Sequence, residues 1–147
     1  MKNICFSILL LMSMPIMVQA QYHCIVQCGT ANTVTFRATG YGKNIKTAVA
    51  DAEINAIKTL VFIGAPGTVF QVPLVTSDIS IVETKHKDIF NELYESAYRN
   101  FIESSVTVTS YGKDAEKRKC ITLDIRIRAK ALRSWLENKG VIRKFGL

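Results

Sequence analysis

Residues 118–129 read Arg118-Lys119-Cys120-Ile121-Thr122-Leu123-Asp124-Ile125-Arg126-Ile127-Arg128-Ala129, and their alternation decides the fold. Successive side chains of a strand point to opposite faces, so Ile121, Leu123, Ile125 and Ile127 share one side. Thr122, Asp124, Arg126 and Arg128 share the other. One apolar face and one wet face predict an antiparallel sheet covered on a single side.

Working outward, Val106–Tyr111 reads as a partner strand, with Gly112-Lys113-Asp114 starting the turn between the two. Asn32–Tyr41 alternates in the same way, Val34 and Phe36 against Thr33, Thr35 and Arg37, until Gly40 and Gly42 break it. Asn44 can cap a helix over Ile45–Ile63. Its stripe is Ala48, Val49, Ala52, Ala56, Ile57, Leu60 and Ile63, and the alanines let its axis approach the sheet closely. Gly64-Ala65-Pro66-Gly67 ends it. A second helix fits Lys87–Ser104, with Ile89, Phe90, Leu93, Tyr94, Ala97, Phe101 and Ile102 on one side. A last helix, Ala131–Lys139, carries Leu132, Trp135 and Leu136, and Gly140 suits the position after its cap. Val141–Phe145 adds an edge strand or packs on the core. Thr68–Lys87 reads as extended structure or as a long loop over one end of the sheet, and Pro73 argues against a central strand. This order predicts an α+β fold, a two-layer sandwich with helices packed on a mainly antiparallel sheet.

Met1–Ala20 has the pattern of a secretory signal peptide. Lys2 supplies the charged start, Ile4–Val18 the apolar core, and Val18-Gln19-Ala20 the small residues before a cut at Gln21. A single domain over residues 21–147 then remains. The expected location is exported, periplasmic or outer-membrane-associated, where disulfides can form. Cys5 would leave with the signal. Cys24, Cys28 and Cys120 remain, an odd number, so one internal bridge with a free thiol, or a bridge between chains, is expected. A bridge from Cys24 or Cys28 to Cys120 would pin the N-terminal arm to the sheet. Cys-x3-Cys lacks finger spacing and no second pair completes four ligands, so no metal is expected.

The net charge of +7 is concentrated toward the C-terminus: from Tyr111 onward eleven Lys or Arg face four acids. Such an end can meet anionic polysaccharide or lipid headgroups through Arg126, Arg128, Lys130, Arg133, Arg143 and Lys144, or can simply be a solvated face. Export argues against nucleic acid. Catalytic patterns are weak. Gly40-Tyr41-Gly42 lacks the third glycine of a dinucleotide fingerprint and the Gly-Lys-Ser/Thr of a phosphate loop. His23 and His86 are not brought together by any spacing. Asp88, Glu92 and Glu95 share a helix face, a row that is usually solvated. No enzyme activity and no cofactor are therefore expected. Tyr41 and Tyr111 adjoin glycines at strand ends and mark an expected exposed contact patch.

Phe36-Arg37-Ala38-Thr39-Gly40-Tyr41-Gly42, followed by Ala48, Ala50, Ala52 and Ala56, resembles a recurrent envelope module. It is similar to the amino-terminal domain of the flagellar assembly protein T and to the twenty-kilodalton bacterial surface-lipoprotein family. Cys120–Ala129, then Leu132, Leu136 and Gly140, resembles that module's closing strand and helix. The resemblance implies an α+β fold and a non-enzymatic accessory role in envelope assembly. The expected partner is an envelope protein, with a second copy as the alternative. Two departures stand out. The residues before Cys24 are a poor lipobox, and a single module carries nothing that marks a flagellar system. No functional residue transfers. Strand addition at an exposed edge, Val106–Tyr111 or Asn32–Arg37, is the expected mode of contact.

Overall fold

The computed structural model describes residues 23–144, so the expected signal peptide lies outside the described residues. Four strands, β1 (Cys24–Gly29), β2 (Val34–Tyr41), β3 (Ile102–Lys113) and β4 (Lys119–Ile127), form one sheet in the order β1-β2-β4-β3. Every pairing is antiparallel. Helices α1 (Ile45–Phe62), α2 (Ile79–Lys85), α3 (Lys87–Glu95) and α4 (Ala129–Asn138) complete the fold, with a 3-10 turn at Ala97–Phe101. The fold class is α+β, as the alternation predicts.

The covered face belongs to β2 and β4. Val34, Phe36 and Ala38 on β2 and Ile121, Leu123, Ile125 and Ile127 on β4 are buried against α1 and α4. Full burial of one such branched side chain contributes about 1.5–3 kcal/mol. Asn44 caps α1 by accepting from the Thr47 N–H at 2.9 Å, while Thr47 Oγ1 accepts from the Asn44 N–H at 3.2 Å. Ala48, Ala52 and Ala56 of α1 are fully buried. Gly40 explains how the helix comes so near: a Cβ there would lie 2.1 Å from the Ala48 carbonyl oxygen and 2.3 Å from the Ala52 nitrogen.

Several elements differ from the sequence reading. Cys24–Gly29 is a strand, where only an N-terminal arm was expected. It covers β2, so Asn32–Arg37 is not an edge. The helix expected over Lys87–Ser104 stops at Glu95; Ser96 leaves helical geometry, and the 3-10 turn leads into a β3 four residues longer at its start than expected. Ile79, Ile81 and Val82 are helical, not extended. Asp78 accepts from the Ser80 N–H at 2.9 Å and starts α2 despite its β-branched residues. Gly140 follows α4 with φ +73°, and Val141 packs against the core without forming a strand.

Residues 63–78, between α1 and α2, form a loop held from within. Val75 N–H donates to the Val61 carbonyl at 2.9 Å, and Ala65 N–H to the Phe70 carbonyl at 2.7 Å. Ala65, Phe70 and Val75 are buried. The loop is therefore a built surface.

Candidate functional site

Strand register places the wet residues in rows across the uncovered face. One row runs Ile25, Arg37, Asp124, Val106 from β1 to β3. At its centre Arg37 grips Asp124 through two bonds, Nε to Oδ1 and Nη2 to Oδ2, both 2.8 Å. The hydrogen bond from Arg37 holds the Asp124 carboxyl below its ordinary value, against the opposing effect of desolvation. The next row places Thr39 Oγ1 3.0 Å from Thr122 Oγ1. The row's ends are apolar and bare: Ile25 is 65% exposed and Val106 60%.

β3 forms one edge of this sheet. Its outward-facing backbone has no neighbouring strand among the described residues. Ser104-Ser105-Val106-Thr107-Val108-Thr109-Ser110 carries no charge and no proline. Its inner side is fixed to β4 in unbroken register from Ser104 to Thr107. Ser105 Oγ donates to Glu53 Oε1 of α1 at 2.7 Å, tying the strand to the helical layer. Natural edges are normally blunted by lysine, proline or brevity. This one is twelve residues long, with charges only near its ends at Glu103 and Lys113 and register irregularities near Glu103, Val108 and Tyr111. The expected edge at Val106–Tyr111 is thus part of a longer one.

Tyr41 and Tyr111 lie at the far end of the sheet, but neither is a free contact residue. Both are half-buried. Tyr111 OH donates to the Gly42 carbonyl at 2.9 Å. Arg118 Nη2 donates to Tyr41 OH at 3.1 Å, and its guanidinium lies 4.4 Å from that ring's centre. Both rings are thus half-buried and bonded at the sheet end, where Tyr41 still lines a surface hollow with Lys43 and Arg118.

The basic residues expected to act together are dispersed. Arg126 stands on the open sheet face, opposite Thr35 and Ser104. Arg128 donates to the Asn100 carbonyl, and with Lys130 lines a shallow hollow beside Asn32 and Glu103. Arg133 is on α4, 3.1 Å from Glu137, and lines a different cleft with Lys85 and Arg143. Alternation along β4 separates Arg126 from the helix cations, so one continuous cationic patch does not form.

The cysteines are likewise apart, and all three are free thiols. Cys24 pairs with Ala38 on β2, whereas Cys120 pairs with Tyr41. That sets Cys24 two strand spacings from β4, roughly 9–10 Å, beyond the ~7 Å a disulfide spans. Cys24 and Cys28 lie at opposite ends of one strand. The expected bridge to Cys120 is therefore not made. Burial pushes the Cys24 thiol up; a hydrogen bond from Thr59 opposes this and the nearby Asp51 charge adds to it. Cys28 is exposed on β1.

Asp88 and Glu95 remain exposed, while Glu92 accepts from Lys139 at 2.7 Å. Among the described residues no three His, Cys, Asp or Glu side chains are grouped to hold a metal ion, and no helix is long and apolar enough to cross a membrane. Comparison of the chain with protein-family models, curated proteins and solved structures finds no match.

Proposed function

We propose that this chain is an exported, non-enzymatic binding and assembly module of the bacterial cell envelope. It recognises a protein partner by adding the partner's extended segment to β3. The observation that supports this reading is the long, uncharged edge Ser104–Ser110, with Val106 60% and Val108 43% exposed. Main-chain hydrogen bonds to the edge would supply affinity, and alternate side chains would supply choice of partner. Val106 gives the added segment an apolar contact on the open face. Export rests on Met1–Ala20. Polysaccharide or lipid-headgroup binding along the whole basic C-terminal region is the weaker reading, because Arg126, Lys130 and Arg133 serve three separate surfaces.

The test is a photo-crosslinking residue placed at Val106 or Val108, and at Lys46 on the exposed start of α1 as control, in intact cells. The expected result is one recurring protein adduct from the β3 positions, resistant to moderate salt, absent from the control and lost on Val106→Lys. Adducts of equal yield at Lys46, or none at β3, would overturn the reading. An adduct of two identical chains would make the partner a second copy.

A further inference from the structure

The cleft beside the 63–78 loop is separate from the β3 edge and differs from it in chemistry. Its volume is 770 Å³, within the ~300–1,000 Å³ of small-ligand sites. The loop supplies one apolar wall, through Val69, Val72 and Leu74. Val82 of α2 lies within it, and Val141 and Ile142, after α4, supply the opposite wall. Val69 is 71% exposed and Val72 59%, an unusual placement for two valines on a loop that is otherwise pinned.

Charge makes the cleft specific. Lys85, Arg133 and Arg143 line it, with the hydroxyls of Thr76 and Ser77, and among the described residues no acidic side chain does so. They come from three distant segments, the end of α2, the middle of α4 and the chain after Gly140. Arg133 is oriented by its pair with Glu137. Lys85 and Arg143 are exposed. An ordered connection of some sixteen residues without regular structure is uncommon in a small domain and usually serves a binding purpose.

We propose that this cleft binds a small amphipathic anion, a molecule with an apolar chain and one carboxylate or phosphate head. The chain would lie between Val69, Val72, Val141 and Ile142, and the head would meet Lys85, Arg133 and Arg143. A neutral molecule of the same length would offer no charge to Lys85 and Arg143 and bind more weakly.

Calorimetric titration of the protein with dodecanoate and dodecyl phosphate, below their micelle concentrations, tests this. Dodecanol and vesicles of anionic phospholipid are the comparison probes. The expected result is saturable one-to-one binding of both anions, at least tenfold weaker for dodecanol. Lys85→Glu with Arg143→Glu should weaken anion binding at least tenfold, with the thermal melt unchanged because both side chains are exposed. Val72→Asp should do the same from the apolar wall. No saturable binding, equal affinity for dodecanol, unchanged affinity in both variants, or binding to vesicles alone would each overturn the proposal.

Discussion

Gly40→Ala should be among the most damaging single-atom changes in this protein. The added Cβ would lie 2.1 Å from the Ala48 carbonyl oxygen, 2.3 Å from the Ala52 nitrogen and 2.7 Å from the Ala52 Cβ. Two of these obstacles are helical backbone and cannot rotate away. To restore an ordinary 3.4 Å contact, α1 must retreat from β2 by roughly 1.3 Å. Ala48 and Ala52 are fully buried, so the retreat opens space along the whole contact. Overpacking of this kind costs typically about 1–3 kcal/mol, and the rigid obstacle places it at the upper end, about 3 kcal/mol. For a domain of this size that lowers Tm by about 10–15 °C. Gly112→Ala is the control. Its nearest neighbour would be the Ser110 carbonyl at 3.7 Å, and its backbone is not left-handed, so the change should stay within about 0.5 kcal/mol. Gly140→Ala separates strain from clash: nothing lies within 4 Å, but φ is +73°, which costs about 1 kcal/mol. Thermal and urea melts of the three variants measure the order. A Gly40→Ala protein that melts within 3 °C of the parent, or a Gly112→Ala protein that loses as much, would refute the close-approach reasoning.

Acid stability should depend on Asp124. Its folded pKa lies below the unfolded value near 3.8, so its stabilising contribution is present above that pH and is lost as pH falls through the folded pKa. Asp78 is shifted the same way by bonds from Ser80. Asp124→Asn should flatten part of the decline in urea stability below roughly pH 4; an unchanged acid limb would show that the Arg37 pair contributes nothing. The thiols should label in order. Cys28 should react first with a maleimide, and Cys24 last, because burial shields its sulfur and raises its pKa. Peptide mass spectrometry should find Cys24, Cys28 and Cys120 all modifiable, and a protein in which only one of the three takes up label after unfolding would contradict the strand register.

Much of the fold was legible where one physical pattern dominated. Ile121, Leu123, Ile125 and Ile127 repeat with period two, and all four are buried. Asn44 announced α1 because its side chain and that of Thr47 satisfy each other's backbone N–H. β1 was not legible: only Cys24 and Val26 turn inward before the register shifts at Gln27, so the alternation is too short to register. Ile79-Ser80-Ile81-Val82 looked extended because β-branched residues favour strands, but a local cap and burial of Val82 override that preference. The stripe through Ala97, Phe101 and Ile102 carried the helix reading too far, because the 3-10 turn keeps Ala97 and Phe101 turned inward after helical bonding has stopped. Of the sites, Val106–Tyr111 was legible as one of two candidate edges, the other of which, Asn32–Arg37, is covered by β1. The cationic cleft was not, because Lys85, Arg133 and Arg143 meet only through tertiary packing.

The strand order β1-β2-β4-β3 also sets when the protein can become itself. Two hairpins, β1–β2 and β3–β4, form from neighbouring sequence, but the central pairing joins distant residues such as Arg37 and Asp124, 87 positions apart. Closing that span costs more loop entropy than either hairpin turn, so docking of the two hairpins is the step expected to be slow. A chain emerging from its N-terminus holds β2 half-paired, with Val34 and Phe36 waiting, until residue 127 has appeared. During that interval β3, whose outer edge stays open in the finished protein, is the strand most able to seize β2 by mistake. Once β4 has emerged, the β3–β4 turn, where Asp114 accepts from the Arg118 N–H at 2.8 Å, favours the correct hairpin over that pairing.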